Sequence, residues 1–258
     1  MTFSLKINEP LVSVVIAVYN GGDYLQEAFD SIKQQTYDNI EVIIVNDAST
    51  DGTYRNINIF EREYDKSIRI ITHYTNKGVA TSRNEAIDMA KGKYIAIQDA
   101  DDVSLPSRLE KQVNFLESSD CFCVGSHAFE IDKIGEIRRE RIYPPSTNEE
   151  IIDIIMSMDT FYLNPIIDPS TMFSKEVFLE LGGYNVDPKF RFVQDYDLWA
   201  RAIVKDKKIA NLQEKLVYYR ANPSGVTIKN KKIMIKQHMS VWHRLINSLQ
   251  GLNEKNSS

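Results

Sequence analysis

Cysteine is scarce: Cys121 and Cys123 are the two thiols in 258 residues. That number excludes a disulfide framework and fits a reducing, cytoplasmic compartment. No apolar stretch approaches the ~18–20 residues a membrane span needs. Residues 1–10 hold no apolar core of signal-peptide length. Positive charge is not in excess, with 31 Lys plus Arg against 36 Asp plus Glu and a net charge of −5. A general nucleic-acid binder would show the opposite balance. There is no Walker phosphate loop, and no Gly-x-Gly-x-x-Gly follows the first apolar run, which argues against a dinucleotide oxidoreductase. His73, His127, His238 and His243 have no metal-ligand spacing. No low-complexity linker or sequence repeat divides the chain.

What remains is an ordinary globular composition, 43% apolar and 26% charged. A chain this long can bury a sizeable core. Its first hundred residues alternate in kind. Apolar, β-branched runs at 11–18, 40–45, 68–73 and 94–98 read as strands. Segments at 24–35, 53–64, 78–90 and 106–118 read as helices, and Asp23 with Gln26 resembles a capping box. Strand starts at 11, 40, 68 and 94 lie 29, 28 and 26 residues apart, the length of a βα unit. Right-handed crossovers make such a sheet parallel, with helices on both faces. Beyond 118 the pattern changes. Strands are expected at 121–131, 136–143 and 170–173, and helices at 148–158, just before Gly182-Gly183, at 198–205 and at 231–249. Residues 252–258 read as a frayed tail.

In an open parallel sheet, ligands bind beyond the carboxyl ends of the strands. Asp47 follows the second strand, where turn formation explains it as well as function does. Asp99, Asp101 and Asp102 follow the fourth. Three carboxylates in four residues repel one another unless a cation shares them, and Mg²⁺-like ions choose carboxylate oxygen.

Four segments then occur in order: Val12-Ser-Val-Val-Ile-Ala-Val-Tyr-Asn20, Val45-Asn-Asp-Ala-Ser-Thr-Asp-Gly-Thr53, Asn76-Lys-Gly-Val-Ala-Thr-Ser-Arg-Asn84 and Asp99-Ala-Asp-Asp102. Gly182-Gly-Tyr184 and Gln194-Asp-Tyr-Asp-Leu-Trp199 follow them. Together they closely resemble the inverting family-2 glycosyltransferases over residues 11 to 228. The resemblance implies the GT-A fold, an α/β architecture whose Rossmann-like half, here 1–103, binds a nucleotide sugar. Residues 104–228 would form the acceptor half, and 229–258 an appended amphipathic helix and tail.

By the same resemblance, Ala17, Val18, Tyr19 and Asn20 cradle the base and Asp47 hydrogen-bonds it. Arg83 lies near the nucleotide, with a solvated helix arginine as the alternative. Asp99 and Ala100 contact the donor, Asp101 binds Mn²⁺ or Mg²⁺ with Asp99 beside it, and Asp102 stands behind. Asp195 is the implied general base, or else a helix cap. Three positions depart from the family pattern: Ser82 for Ala, Gln194 for Glu, and Asn222 for a His that can serve metal or diphosphate. The expected activity is sugar transfer from a nucleotide diphosphate donor, a UDP-sugar, to a glycan or lipid-linked acceptor in surface-polysaccharide or glycolipid synthesis. The rivals are a catalytically degenerate sugar-nucleotide binder or scaffold and a sugar-nucleotide pyrophosphorylase. The pyrophosphorylase needs a Gly-rich loop that Tyr19-Asn-Gly-Gly-Asp23 does not supply. For the last helix, packing or homodimer contact competes with peripheral attachment to the anionic inner face of a membrane.

Overall fold

The computed structural model describes residues 9–142, 145–157, 164–221, 225 and 229–256. Four βα units open the fold: β1 (Val12–Val18), α1 (Tyr24–Lys33), β2 (Ile40–Asn46), α2 (Thr53–Glu63), β3 (Ser67–Thr72), α3 (Val79–Met89), β4 (Tyr94–Ile97) and α4 (Arg108–Ser118). A two-residue strand, β5 (Val103–Ser104), lies between β4 and α4. Then come β6 (Cys121–Ile131), β7 (Ile137–Arg141), α5 (Asn148–Met156), β8 (Met172–Ser174), α6 (Lys175–Glu180), α7 (Gln194–Val204), β9 (Lys208–Arg220) and α8 (Lys231–Asn256).

The strands form one sheet in the order β3-β2-β1-β4-β8-β6-β9-β5, with β7 paired to β6. Pairing is parallel through β3, β2, β1 and β4. Beyond β4 it is mixed: β8 runs antiparallel to β4 and β6, β9 parallel to β6, and β5 antiparallel to β9. Period-2 alternation sends successive side chains to opposite faces. Val15, Ile43 and Ile95 therefore pack with Ala86 of α3 and Leu198 and Trp199 of α7. Val14, Ile16, Val42 and Ile44 pack with Leu25 and Phe29 of α1, Phe60 of α2 and Leu109 of α4. Helices thus cover both faces, and the rings of Phe29 and Phe60 stack at 4.1 Å.

Four local expectations change. Asp23 precedes α1 but makes no side-chain cap, because its backbone is already helical at φ −77° and ψ −22°. Gln26 bonds Asp30 instead. The capping box forms at Thr147 and Glu150, ahead of α5. The helix expected from 198 begins at Gln194. The tail expected from 252 is helical as far as Asn256. The strands β5 and β9 had no counterpart in the sequence reading. One face of α8 packs on α7, where the rings of His238 and Tyr196 meet at 4.7 Å and Arg244 pairs with the buried Asp197. Among the described residues, no helix is long and apolar enough to cross a membrane.

Candidate active site

A cavity of about 940 Å³ opens at the carboxyl ends of β1 and β2. Ala17, Val18, Tyr19, Asp47, Arg83, Asp99 and Asp195 line it. Asn20, Ala100 and Asp101 lie outside that lining, on the loops around it. Asn222 falls outside the described residues.

Two loops, after β1 and β2, form one wall of the cavity. Asn20 takes a left-handed backbone, φ 54°, which asparagine tolerates better than most residues. Its amide donates to Ser49 Oγ and its Oδ1 accepts from the Thr50 amide, tying the β1 and β2 loops together. Ala48, beside Asp47, is also left-handed at φ 62°. Such backbone strain persists only where surrounding contacts hold it.

Asp47 is 3% exposed. It accepts the Lys77 and Gly78 amides at 2.8 Å each, one on each oxygen, and contacts His73 Nδ1 at 2.7 Å. These partners lie across the site, between β3 and α3, so Asp47 is no simple turn former. His73, set aside in the sequence for want of metal spacing, belongs to this wall.

Arg83 is buried, contrary to a solvated helix arginine. It donates to Asp99 Oδ1 at 2.7 Å and to Asp168 Oδ2 at 2.6 Å. Asp168 lines the cavity from the one-turn helix Asp168–Ser170, just ahead of β8. Sequence reasoning missed it, because Asp-Pro-Ser reads as a turn and only the pairing of β8 with β4 carries it to Arg83. Burial pushes the Asp168 carboxyl upward even against the neighbouring guanidinium.

The carboxylates of Asp99, Asp101 and Asp102 lie within 4.8 Å of one another. Burial, followed by the charge of Asp99, pushes Asp101 up to about 6. Burial and both neighbouring acids raise Asp102 further. Arg220, the last residue of β9, donates its amide to Asp102 Oδ1 and its Nε to the Asp101 carbonyl. Asp102 Oδ2 is buried without a hydrogen-bond partner. A cluster of hard oxygens that repel one another, with one of them unpartnered, fits a divalent cation.

Asp195 reaches the cavity from the first turn of α7. Val193, not Asp195, is the N-cap residue of this helix. Asn164 Nδ2 donates to Asp195 Oδ2 at 2.5 Å, and burial raises the Asp195 carboxyl above its ordinary value. A carboxylate so placed is a stronger base than an exposed one. Cys123 is buried in β6 and Cys121 half-buried, both as free thiols.

Comparison with known proteins agrees with this geometry. The sequence profile of glycosyl transferase family 2 matches residues 13–182. EpsE of Bacillus subtilis, described as a glycosyltransferase, is 38% identical over 212 residues, covering 82% of this chain and 73% of its own. The Escherichia coli UDP-Glc:alpha-D-GlcNAc-diphosphoundecaprenol beta-1,3-glucosyltransferase WfaP is 31% identical over 228 residues, 88% of this chain and 84% of its own. The mannosyltransferase PcManGT of Pyrobaculum calidifontis, solved with GDP-Man and Mn²⁺, superposes with a TM-score of 0.70 at 19% identity. That superposition covers 92% of this chain and 65% of the mannosyltransferase. The chain belongs to glycosyl transferase family 2 and has the GT-A fold.

Proposed function

We propose that the chain moves a sugar from a UDP-sugar to an acceptor hydroxyl, with inversion at the anomeric carbon. One observation carries this reading: Asp47, the Arg83-held Asp99 and the base candidate Asp195 face a single cavity. Ala17, Val18, Tyr19 and Asn20 form the cradle for the base, and Asp47 accepts its N–H. Residues 1–103 thus serve as the nucleotide half and 104–228 as the acceptor half, with 229–258 appended.

Asp101 and Asp99 would hold Mn²⁺ or Mg²⁺, with Asp102 behind them. The cation supplies stabilisation of the negative charge that grows on the departing diphosphate. The chain's own residues do the rest. Arg83 fixes the orientation of Asp99. Asp195 accepts the acceptor's proton as its oxygen attacks the anomeric carbon from the face opposite the leaving group. A single displacement inverts the configuration, giving a β-linkage from an α-linked donor, and no second carboxylate nucleophile is required.

WfaP is named for a UDP-glucose donor and a diphosphoundecaprenol-linked acceptor. That supports a UDP donor and a glycan or lipid-linked acceptor here, in surface-polysaccharide or glycolipid synthesis. Such an acceptor places the chain at the inner face of a membrane. The exposed Ile233 and Met239 of α8, near Lys231, Lys232 and Lys236, suit that contact.

The test incubates the protein and Mn²⁺ with UDP-, GDP- and dTDP-sugars and lipid-linked or free glycan acceptors. Acceptor-dependent UDP release, with a β-linked product by NMR, is expected. Tight UDP binding without turnover on any pair would favour the degenerate-binder reading instead.

A further inference from the structure

His73 has a role that histidine spacing gave no hint of. Its ring is 3% exposed and lies between two carboxylates. Nδ1 is 2.7 Å from Asp47 Oδ1, and Nε2 is 2.7 Å from Glu85 Oε2. A neutral imidazole carries one N–H and can donate to one of them; the imidazolium donates to both. Both carboxylates behave as acceptors. Asp47 takes the Lys77 and Gly78 amides. Glu85 is held below the usual carboxylate range, first by Lys77 and, against some burial, by His73 as well. Lys77 Nζ meets Glu85 Oε1 at 2.8 Å. A chain of polar contacts therefore runs from the half-exposed Lys77 through Glu85 and His73 to Asp47 in the cavity wall.

The chain leaves Asp47 acceptor-only. Among the described residues, its Oδ1 receives His73 and the Lys77 amide and Oδ2 receives the Gly78 amide, and a carboxylate oxygen can accept a second hydrogen bond. We infer that His73, held between Glu85 and Asp47, is a positioning residue that keeps Asp47 oriented toward the ring N–H of a uracil base. The base preference of the donor site thus depends on a side chain that does not touch the donor. This rests on the proposed role of Asp47 in base recognition.

The test uses metal-free isothermal titration with uridine and 3-methyluridine, which lacks the ring N–H. The wild type is expected to prefer uridine. In His73→Asn the preference is expected to fall about tenfold, as for loss of a charge-assisted contact. Should His73→Asn fail to fold, Glu85→Gln, altered on the exposed side of the ring, is expected to reduce the preference severalfold. A wild-type preference retained in the variant that folds overturns the role of His73. A wild type that ignores the methyl group or does not bind uridine overturns the reading of Asp47, and this inference with it.

Discussion

Asp195 shows what a single buried carboxylate is asked to do. The N-cap residue of its helix is Val193, so Asp195→Asn leaves the N-cap position unchanged. The variant also keeps side-chain size, while losing the basic oxygen. Donor affinity should survive, and transfer should fall by roughly 10²–10⁴-fold, the usual worth of a general base. Acceptor-dependent product formation measures this, since slow donor hydrolysis could use water by another route. A variant transferring at the wild-type rate refutes the assignment. Burial raises the Asp195 carboxyl, so it gains its proton at a higher pH than an ordinary aspartate. The base must be ionised, so kcat/KM should fall as pH drops through that raised value. The acid limb should lie above about 4, the ordinary aspartate range. A limb at or below that value in a pH–rate profile contradicts the placement. Arg83 offers a second residue-scale test. Arg83→Met leaves Asp99 and Asp168 without their shared cation, and breaking a buried pair costs about 3–5 kcal/mol. Chemical denaturation should show that loss, together with weaker donor binding. An unchanged unfolding midpoint would mean that the two acids simply take up protons.

At the scale of elements, helix ends and strand ends set the site. Gly182 and Gly183 take φ of 85° and 71°, a left-handed turn that ends α6 and brings Tyr184 back toward α3. There Asn84 bonds both the amide and the carbonyl of Tyr184. Strand β9 ends at Arg220, which braces the aspartate loop. Its polar interruptions between Asn211 and Lys215 hide its β-character in the sequence. The pairing along β6 is what holds it extended. The α5 cap is a control outside the cavity lining. Thr147→Ala removes the bond to the Glu150 amide and should cost about 1 kcal/mol. Calorimetry should record a fall in Tm of about 2–4 °C for a chain this size, with kcat unchanged. A changed kcat would mean that α5 shapes the cavity.

The whole molecule brings acids and cations from distant parts of the chain to one cavity. Four carboxylates in and beside it are raised by burial. Ligands that neutralise them should stabilise the fold. UDP with Mn²⁺ at about 100 times its dissociation constant should add about 2.7 kcal/mol by mass action. Thermal unfolding should show an upward shift needing both components, and a shift with UDP alone as large as with both would remove Mn²⁺ from the site.

The alternating apolar runs by themselves determined the βα order of the first half, because burial on both faces demands continuous β-branched strands at a regular spacing. The resemblance of the motif segments marked Asp47, Arg83, Asp99 and Asp195 as candidate site residues, and all four line the cavity. Tertiary structure alone decided which of them share a wall. Asp168 lies in a stretch that reads as a turn, and His73 ends an apolar strand run with no metal-ligand spacing to single it out. They join the site only because β8 docks against β4 and β3 against β2. The burial that raises the Asp195 carboxyl is equally non-local, since that helix start is enclosed by segments such as Asn164, 31 positions earlier in the chain. Local sequence carries pattern and turn chemistry. Proximity between distant carboxylates, and the desolvation that tunes them, arises only when the sheet closes around the cavity.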